Sequence, residues 1–135
     1  MKIFVDTNII IDYLVDRVPF ADDAEAVIDV CVSDGNEGAF TALSACNAVY
    51  IIGKYVGRRE AELFVKEVSS LVGLLPIDPE DIKTNLGAEH PDFEDSLQIA
   101  AAQDWGADVI ITRDTEGFVN SPIKVLTPAE FLNCI

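Results

Sequence analysis

The sequence predicts an α/β fold of three layers (α/β/α), in which one parallel sheet of five strands is covered by helices on both faces. Two observations indicate this fold class. Short apolar runs alternate along the chain with segments whose apolar residues recur at helical spacing. One of these runs, residues 108–111, is nearly continuous in apolar side chains, which is typical of a strand buried on both faces. We therefore expect residues 1–135 to form one domain with a packed core.

Five apolar runs have the length of strands, and turn-forming or capping residues follow them. They are residues 2–5, 37–43, 74–77, 108–111 and 123–126. The first run leads directly into Asp6 and a helical pattern, so this acid lies where a strand passes into a helix. The fourth run leads into Thr112-Arg113-Asp114 and repeats the arrangement. Because ligands bind at the carboxyl ends of parallel strands, these two strand ends are the first candidates for a functional site.

In the segments between the strands, the helical spacing of apolar residues and the presence of capping residues predict helices. They cover residues 7–14, 21–32, 45–57, 58–71, 79–87, 92–105 and the residues from 128 onward. Thr7 or Asn8 is expected to cap the first helix, and Ser44 the helix after the second strand. Proline follows Asp78 and Thr127, and proline is tolerated in the first turn of a helix.

The composition argues against several functional classes. A formal net charge of -15 is unsuited to binding nucleic acid through a broad basic surface. No apolar run reaches the roughly 18 residues of a membrane span, and the amino terminus becomes acidic at Asp6, unlike a signal peptide. We therefore expect a cytoplasmic protein with no membrane partner. Its three cysteines lack C-x-x-C spacing, so we expect them to be reduced and packed in apolar surroundings.

Three acids are expected to meet at one edge of the sheet. Asp6 and Asp114 follow the first and fourth strands, and they face each other if those strands are neighbours. Asp95 lies in the first turn of a helix whose amino end should reach the same edge. Asp92 can instead be a helix cap, because its spacing from Asp95 resembles a capping box. The candidate catalytic residues are therefore Asp6, Asp95 and Asp114.

Three carboxylates in one cleft repel each other unless a cation lies between them. Oxygen ligands favour hard cations, so Asp6, Asp95 and Asp114 predict a site for Mg²⁺ or Mn²⁺. Such an ion can activate a water and bind the oxygens of a phosphodiester. It also reverses the local charge that a phosphate meets, which offsets the acidic composition. The implied reaction is metal-assisted phosphodiester hydrolysis.

At four places the chain resembles the PIN-domain nucleases, many of which are VapC-like ribonuclease toxins paired with antitoxins. These places are Val5-Asp6-Thr7-Asn8, residues 41–50, Asp92-Phe93-Glu94-Asp95-Ser96-Leu97, and Ile111-Thr112-Arg113-Asp114 with Phe118 after it. The resemblance covers essentially the whole chain and implies a parallel sheet of strand order 3-2-1-4-5. It also implies an RNA substrate, an antitoxin protein as a possible partner, and a homodimer.

The resemblance assigns roles to individual residues. Six positions match: the metal-binding acids Asp6, Asp95 and Asp114, the supporting residues Asn8 and Thr112, and Asp92 as an outer ligand. Asn47 departs from the pattern, since most members place a glutamate in the helix after the second strand. An amide oxygen can hold a metal-bound water but adds no negative charge, so metal affinity is expected to depend on the remaining acids.

Arg113 is the basic residue beside the proposed site. It can contact a substrate phosphate directly, or it can face solvent or form an ion pair. Two other functions remain open. A non-catalytic module that binds RNA or a protein would agree with Asn47 and with the acidic charge. The other is a phosphotransfer domain with a nucleophilic aspartate, although Asn8 stands where that chemistry would need a second acid.

Overall fold

The computed structural model describes residues 1–135, and its five strands form one parallel sheet. The strands are β1 (Lys2–Val5), β2 (Glu37–Thr41), β3 (Gly73–Leu75), β4 (Val109–Ile111) and β5 (Lys124–Leu126). Their order across the sheet is β3-β2-β1-β4-β5, and every neighbouring pair runs parallel. The expected fold class and strand order are therefore confirmed.

Seven α-helices connect the strands and cover the sheet. They are α1 (Thr7–Leu14), α2 (Ala21–Val32), α3 (Ala42–Val56), α4 (Arg58–Val68), α5 (Pro79–Asn85), α6 (Phe93–Trp105) and α7 (Pro128–Cys134). A short 3₁₀ helix, Thr115–Phe118, follows β4. None of the seven combines the length and the apolar character that a membrane crossing requires.

The alternation of side chains along β1 divides the core between the two faces of the sheet. Ile3 and Val5 pack on one face, in a cluster with residues of α1, α2 and α7. Phe4 belongs to the other face, where it packs with Ala102 of α6 and with Phe118. The side chains of Ile3, Phe4 and Val5 are all fully buried. β1 is therefore covered on both sides, as expected for a strand of a three-layer parallel fold.

The register between β1 and β4 sets the geometry of the sheet edge. Val5 pairs with Ile111, so the next residues, Asp6 and Thr112, leave the sheet side by side. The Asp6 N–H donates to the Ile111 carbonyl oxygen at 3.0 Å, which extends the strand pairing up to the acid. The Thr112 N–H donates to the Leu126 carbonyl oxygen of β5 at 3.1 Å. Backbone hydrogen bonds to neighbouring strands therefore fix Asp6 and Thr112, which are the first residues after β1 and β4.

Several expected element boundaries are wrong by a few residues. β2 ends at Thr41 and α3 begins at Ala42, so the second strand is shorter than expected. Thr41 caps α3 in place of Ser44, because the Thr41 hydroxyl accepts the Ser44 N–H at 3.0 Å. Asp6 caps α1 in place of Thr7 or Asn8, since its carboxylate accepts the Thr7 N–H at 2.7 Å. The first catalytic candidate is thus also a helix cap.

All three cysteines are free, but only one of them packs as expected. Cys31 is buried in the core, and burial raises the pKa of its thiol to about 12. This thiol stays protonated at neutral pH, so Cys31 is a packing residue and not a nucleophile. Cys46 and Cys134 are exposed, and the expectation of apolar packing is wrong for these two.

Candidate active site

A cleft of about 340 Å³ opens at the carboxyl ends of β1 and β4. The acids that line it come from three segments of the chain: Asp6, Asp92, Glu94, Asp95 and Asp114. The structure therefore brings the three candidate catalytic acids into one cleft. Arg17 is the one basic side chain on the wall of this cleft.

Asp6 lies at the buried end of the cleft and is 5% exposed. Its carboxylate accepts hydrogen bonds from the Thr7 backbone N–H at 2.7 Å and from the Thr112 hydroxyl at 2.8 Å. Burial raises the pKa of Asp6 to about 6, although both hydrogen bonds act to lower it. The charges of Asp114 and Asp92 raise this pKa further. A cation beside Asp6 would favour its charged form, so the environment of this carboxylate suits cation binding.

Thr112 connects the acid after β1 to the loop after β4. Its hydroxyl donates to Asp6 and accepts the Asp114 backbone N–H at 3.0 Å. The Asn8 amide nitrogen donates to the same hydroxyl at 3.4 Å. The Asn8 amide oxygen accepts the Arg113 backbone N–H at 3.4 Å. Thr112 and Asn8 thus link the segment that carries Asp6 to the segment that carries Asp114.

Asp95 reaches the cleft from the first turn of α6. Asp92 caps this helix, since its carboxylate accepts the Asp95 backbone N–H at 2.9 Å, and Asp92 also lines the cleft. Burial is the largest cause that raises the pKa of Asp95 to about 7, and the charges of the other four acids of the cleft add to it. Gly117 lies so close to the Asp95 carboxylate that a Cβ at position 117 would overlap it. Because neighbouring carboxylates raise the pKa of Asp95, the acids of the cleft interact with one another electrostatically.

The ligands that the cleft offers fit a hard divalent cation. The carboxylates of Asp6 and Asp95 are desolvated and lie near other acids, which is why both pKa values are raised. A divalent cation offsets both effects, because it stabilises negative charge that burial and repulsion disfavour. No histidine or cysteine lines the cleft, so the nitrogen and sulfur ligands that favour zinc are missing from it. Oxygen ligands of this kind favour Mg²⁺ or Mn²⁺.

Asn47 of α3 lines the cleft at the position where the family resemblance predicts a glutamate. Its side-chain amide donates a hydrogen bond to the Glu94 carboxylate at 3.2 Å. Glu94 is the second residue of α6 and directly precedes Asp95. In the sequence, Glu94 stands out only as part of the motif that contains Asp95, although its place beside Asp95 in one helical turn indicates that it lies near the same site. A carboxylate therefore lies next to α3 even though α3 contains no acid.

Arg113 does not line the cleft. Its guanidinium forms two hydrogen bonds with the buried Asp12 carboxylate, at 2.6 and 3.1 Å, and its Cζ lies 3.9 Å from the centre of the Phe20 ring. The ion-paired alternative for Arg113 therefore describes this structure. Arg17 is 3.8 Å from the same carboxylate, and its side chain is 39% exposed. No sequence pattern singles out Arg17, because its position depends on how the chain turns after α1.

A buried polar network lies beside the cleft and joins three helices. Its centre is Gln98 of α6, which is 2% exposed. The Gln98 amide oxygen accepts the Thr41 hydroxyl at 2.7 Å, while the amide nitrogen donates to the Ser44 hydroxyl at 2.7 Å and to the Thr7 hydroxyl at 3.2 Å. Thr7 and Ser44 also bond to each other. The network links the amino ends of α1 and α3 to the second turn of α6 beside the site. No sequence pattern indicates Gln98, because helical spacing alone does not identify a buried amide.

Comparisons with known proteins identify relatives of this fold. A family model described as the PIN domain matches residues 2–116. No curated protein matches the chain at a significant level. Among solved structures, VapBC2 from Rickettsia felis, bound to a DNA fragment from its promoter, is 14% identical with a TM-score of 0.65, and the match covers 94% of this chain and 98% of that chain.

Two further structures have the same fold. A toxin-antitoxin complex from Klebsiella pneumoniae is 23% identical with a TM-score of 0.67, and the match covers 93% of this chain and 96% of that chain. VapC20 from Mycobacterium tuberculosis, a sarcin-ricin loop cleaving toxin, is 13% identical with a TM-score of 0.69, and the match covers 87% of this chain and 94% of that chain. At these identities the similarity establishes the fold.

Proposed function

Because the chain belongs to the PIN domain family, we propose that it is an endoribonuclease that depends on a divalent metal ion and hydrolyses RNA phosphodiester bonds. The observation that carries this proposal is the cleft in which Asp6, Asp95 and Asp114 come together at the ends of two central strands. A solved structure of similar fold is a sarcin-ricin loop cleaving toxin, which supports RNA as the substrate class.

In this proposal Asp6, Asp95 and Asp114 are the metal ligands and the catalytic acids, with Asp92 as an outer ligand. Bound there, Mg²⁺ or Mn²⁺ would supply Lewis-acid chemistry, since such an ion lowers the pKa of a water and polarises phosphate oxygens. The chain itself orients the acids. A backbone N–H and the Thr112 hydroxyl each hold one oxygen of Asp6, so this carboxylate has one orientation before any ligand binds.

The substrate contact in this proposal is Arg17 and not Arg113. Arg17 lines the cleft with a side chain that is 39% exposed, whereas Arg113 does not line the cleft and directs its Nε and one Nη at Asp12. Arg113 then acts indirectly, because its ion pair anchors the loop that carries Asp114 to α1. A guanidinium can form two parallel hydrogen bonds with a phosphate, which suits Arg17 to this contact.

The proposal is tested by cleavage of transfer RNA and of a single-stranded RNA by the purified protein, with Mn²⁺, with Mg²⁺ and with a chelator. We expect metal-dependent cleavage by the wild type and a loss of about a hundredfold or more in Asp6→Asn and Asp95→Asn, because each variant removes a charged metal ligand. Activity that persists in both variants and also in the chelator would reveal a contaminating nuclease. Metal-dependent cleavage by Asp6→Asn at the wild-type rate would contradict the assignment of Asp6.

A second candidate function is a non-catalytic module that uses the same fold to bind RNA or a protein. Asn47 favours it, since an amide lies where the resemblance predicts a carboxylate. This function replaces the nuclease if the wild type neither cleaves RNA nor gains thermal stability when Mn²⁺ is added.

We also propose that a partner protein of the antitoxin kind restrains the enzyme and that the chain forms a homodimer. A structure of similar fold is a toxin-antitoxin complex, which supports the partner. An apolar groove of about 430 Å³ shares Arg17 with the cleft and is also lined by Leu14, Val15, Asp16, Tyr55, Val56 and Phe64. Together with the net charge of -15, this groove suits a partner segment with both apolar and basic side chains. Light scattering on the purified chain tests the homodimer, and co-expression with the product of a neighbouring gene tests the partner.

A further inference from the structure

Glu94 is an exposed acid whose carboxylate is held by a second element of the cleft. It is the second residue of α6, next to Asp95, and both residues line the cleft. The Asn47 amide of α3 donates to Glu94 Oε2 at 3.2 Å. Oε1 of the same carboxylate has no partner within the chain and can accept one. Glu94 is thus oriented and still available to a ligand.

The helix dipole alone does not account for this arrangement. Acids are generally favourable in the first turn of a helix, where free backbone N–H groups carry partial positive charge. Glu60 lies in the first turn of α4 and has this advantage too, but no side chain of another element is bonded to it. Glu94 differs because it bridges to α3 and lies in a cleft with four other acids. Such a concentration of charge is unfavourable unless a cation compensates it.

We propose that Glu94, oriented by Asn47, contributes a further carboxylate to the cation site formed by Asp6, Asp95 and Asp114, in addition to the outer ligand Asp92. Asn47 is then a positioning residue, and α6 supplies the charge that α3 lacks. This inference rests on the proposed metal-dependent function. The charge of Glu94 explains how the site can bind a cation although position 47 carries an amide and not a carboxylate.

The effect of the Glu94 charge can be estimated from its position. An exposed carboxylate several ångströms from a divalent cation should improve the affinity of that cation about tenfold in a medium that resembles water. Glu94→Gln keeps the shape of the side chain and an oxygen that can accept from Asn47, so it changes mainly the charge. Asn47→Ala keeps the charge but releases the carboxylate, for which we expect a loss of about threefold.

Calorimetric titration with Mn²⁺ in the absence of RNA tests the inference. The matched control is Glu60→Gln, which removes the same charge from the first turn of another helix. We expect Glu94→Gln to bind Mn²⁺ about tenfold more weakly than the wild type, and Glu60→Gln to bind it equally well. Equal affinity of Glu94→Gln and the wild type would overturn the role of Glu94 and leave the proposed function intact. No Mn²⁺ binding by the wild type would overturn both.

Asp6→Asn identifies the part of the binding heat that comes from the cleft. A separate acidic group could also take up Mn²⁺, since carboxylate oxygens of Asp78, Asp81 and Asp104 lie within 4.8 Å of one another. Binding at that group should be the same in Asp6→Asn and in the wild type. If all of the wild-type binding persists in Asp6→Asn, the inference fails, because the ion is then bound outside the cleft.

An exchange of charge between the two helices gives a test that a folding defect cannot imitate. Asn47→Glu combined with Glu94→Gln restores the number of carboxylates and reverses the hydrogen bond, with the new amide on α6 as the donor. We expect the double variant to bind Mn²⁺ within about threefold of the wild type. Affinity as low as that of Glu94→Gln alone, in a variant with an unchanged unfolding temperature in chelator, would overturn the proposed pairing of Asn47 and Glu94.

Discussion

At the scale of single residues, two acids of the cleft, Asp6 and Asp95, bind protons more tightly in the folded chain than in the unfolded one. The pKa of Asp6 rises from 3.8 to about 6, mainly through burial, and that of Asp95 rises to about 7 through burial and neighbouring charges. Stability from such a group is fully present below its unfolded pKa and is lost as the pH rises through its folded pKa. Without a cation, the two acids therefore destabilise the fold as the pH rises from about 4 to about 7.

Asp6→Asn should remove part of this pH dependence. Between about pH 4 and about pH 8, we expect the free energy of unfolding of the variant to increase relative to the wild type by up to about 3 kcal/mol, because Asp6 is buried and its pKa shift is about two units. Urea unfolding of both proteins in chelator at the two pH values provides the measurement. A difference between the proteins that stays constant with pH would contradict the assigned cause. Saturating Mn²⁺ should stabilise the wild type more than the variant.

At the scale of elements, side chains link the amino ends of α1 and α3 to the second turn of α6 beside the site. Gln98 joins α6 to α1 and α3 through Thr7, Thr41 and Ser44. Two of these residues lie at the start of their helices, and Thr41 is itself a cap. The position of Asp95 relative to Asp6 therefore depends on a network that does not include either acid.

Gln98→Met should weaken both the fold and the cation site. The change leaves buried hydroxyl groups without their amide partner, and we expect the free energy of unfolding to fall by about 1–3 kcal/mol. Mn²⁺ affinity should fall as well, because α6 can then shift relative to α1. Gln103→Met is the control, since Gln103 is exposed on the same helix and forms no such bonds. Thermal unfolding and Mn²⁺ titration of both variants check this, and equal results for the two would speak against the network.

The strand ends could be predicted from sequence, whereas contacts between helices could not. Asp6 and Asp114 each follow a buried strand, and parallel strands of one sheet end at the same edge. Thr41 and Ser44 both satisfy the capping pattern, and the choice between them depends on backbone angles that the pattern does not contain. Arg113 was ambiguous for a related reason, since its ion pair requires a buried carboxylate that only the packed chain creates.

The contact between Asn47 and Glu94 is another contact between helices that the sequence does not predict. The two residues are 47 positions apart, and their bond depends on how closely α3 approaches α6. One sequence carries no information on this distance. Local sequence patterns therefore identify the neutral residue at position 47 but not the acid that lies beside it.

At the scale of the whole molecule, a net charge of -15 surrounds a site that is proposed to bind a polyanion. Long-range repulsion should slow the encounter with RNA at low ionic strength. Raising monovalent salt from about 20 to about 150 mM shortens the screening length to about 8 Å. We therefore expect kcat/KM for RNA at saturating Mn²⁺ to rise or stay level with salt. A steep fall of kcat/KM with salt, as for a nuclease that binds RNA through a basic surface, would contradict this expectation.

The backbone pairing at the ends of β1 and β4 also bears on how long the site persists. The amide hydrogens of Asp6 and Thr112 are bonded to Ile111 and Leu126 inside the sheet. Amides in the central strands of a sheet exchange with solvent mainly through openings that approach global unfolding. The relative placement of Asp6 and Thr112 should therefore survive local breathing of the surface helices and disappear only when the molecule unfolds.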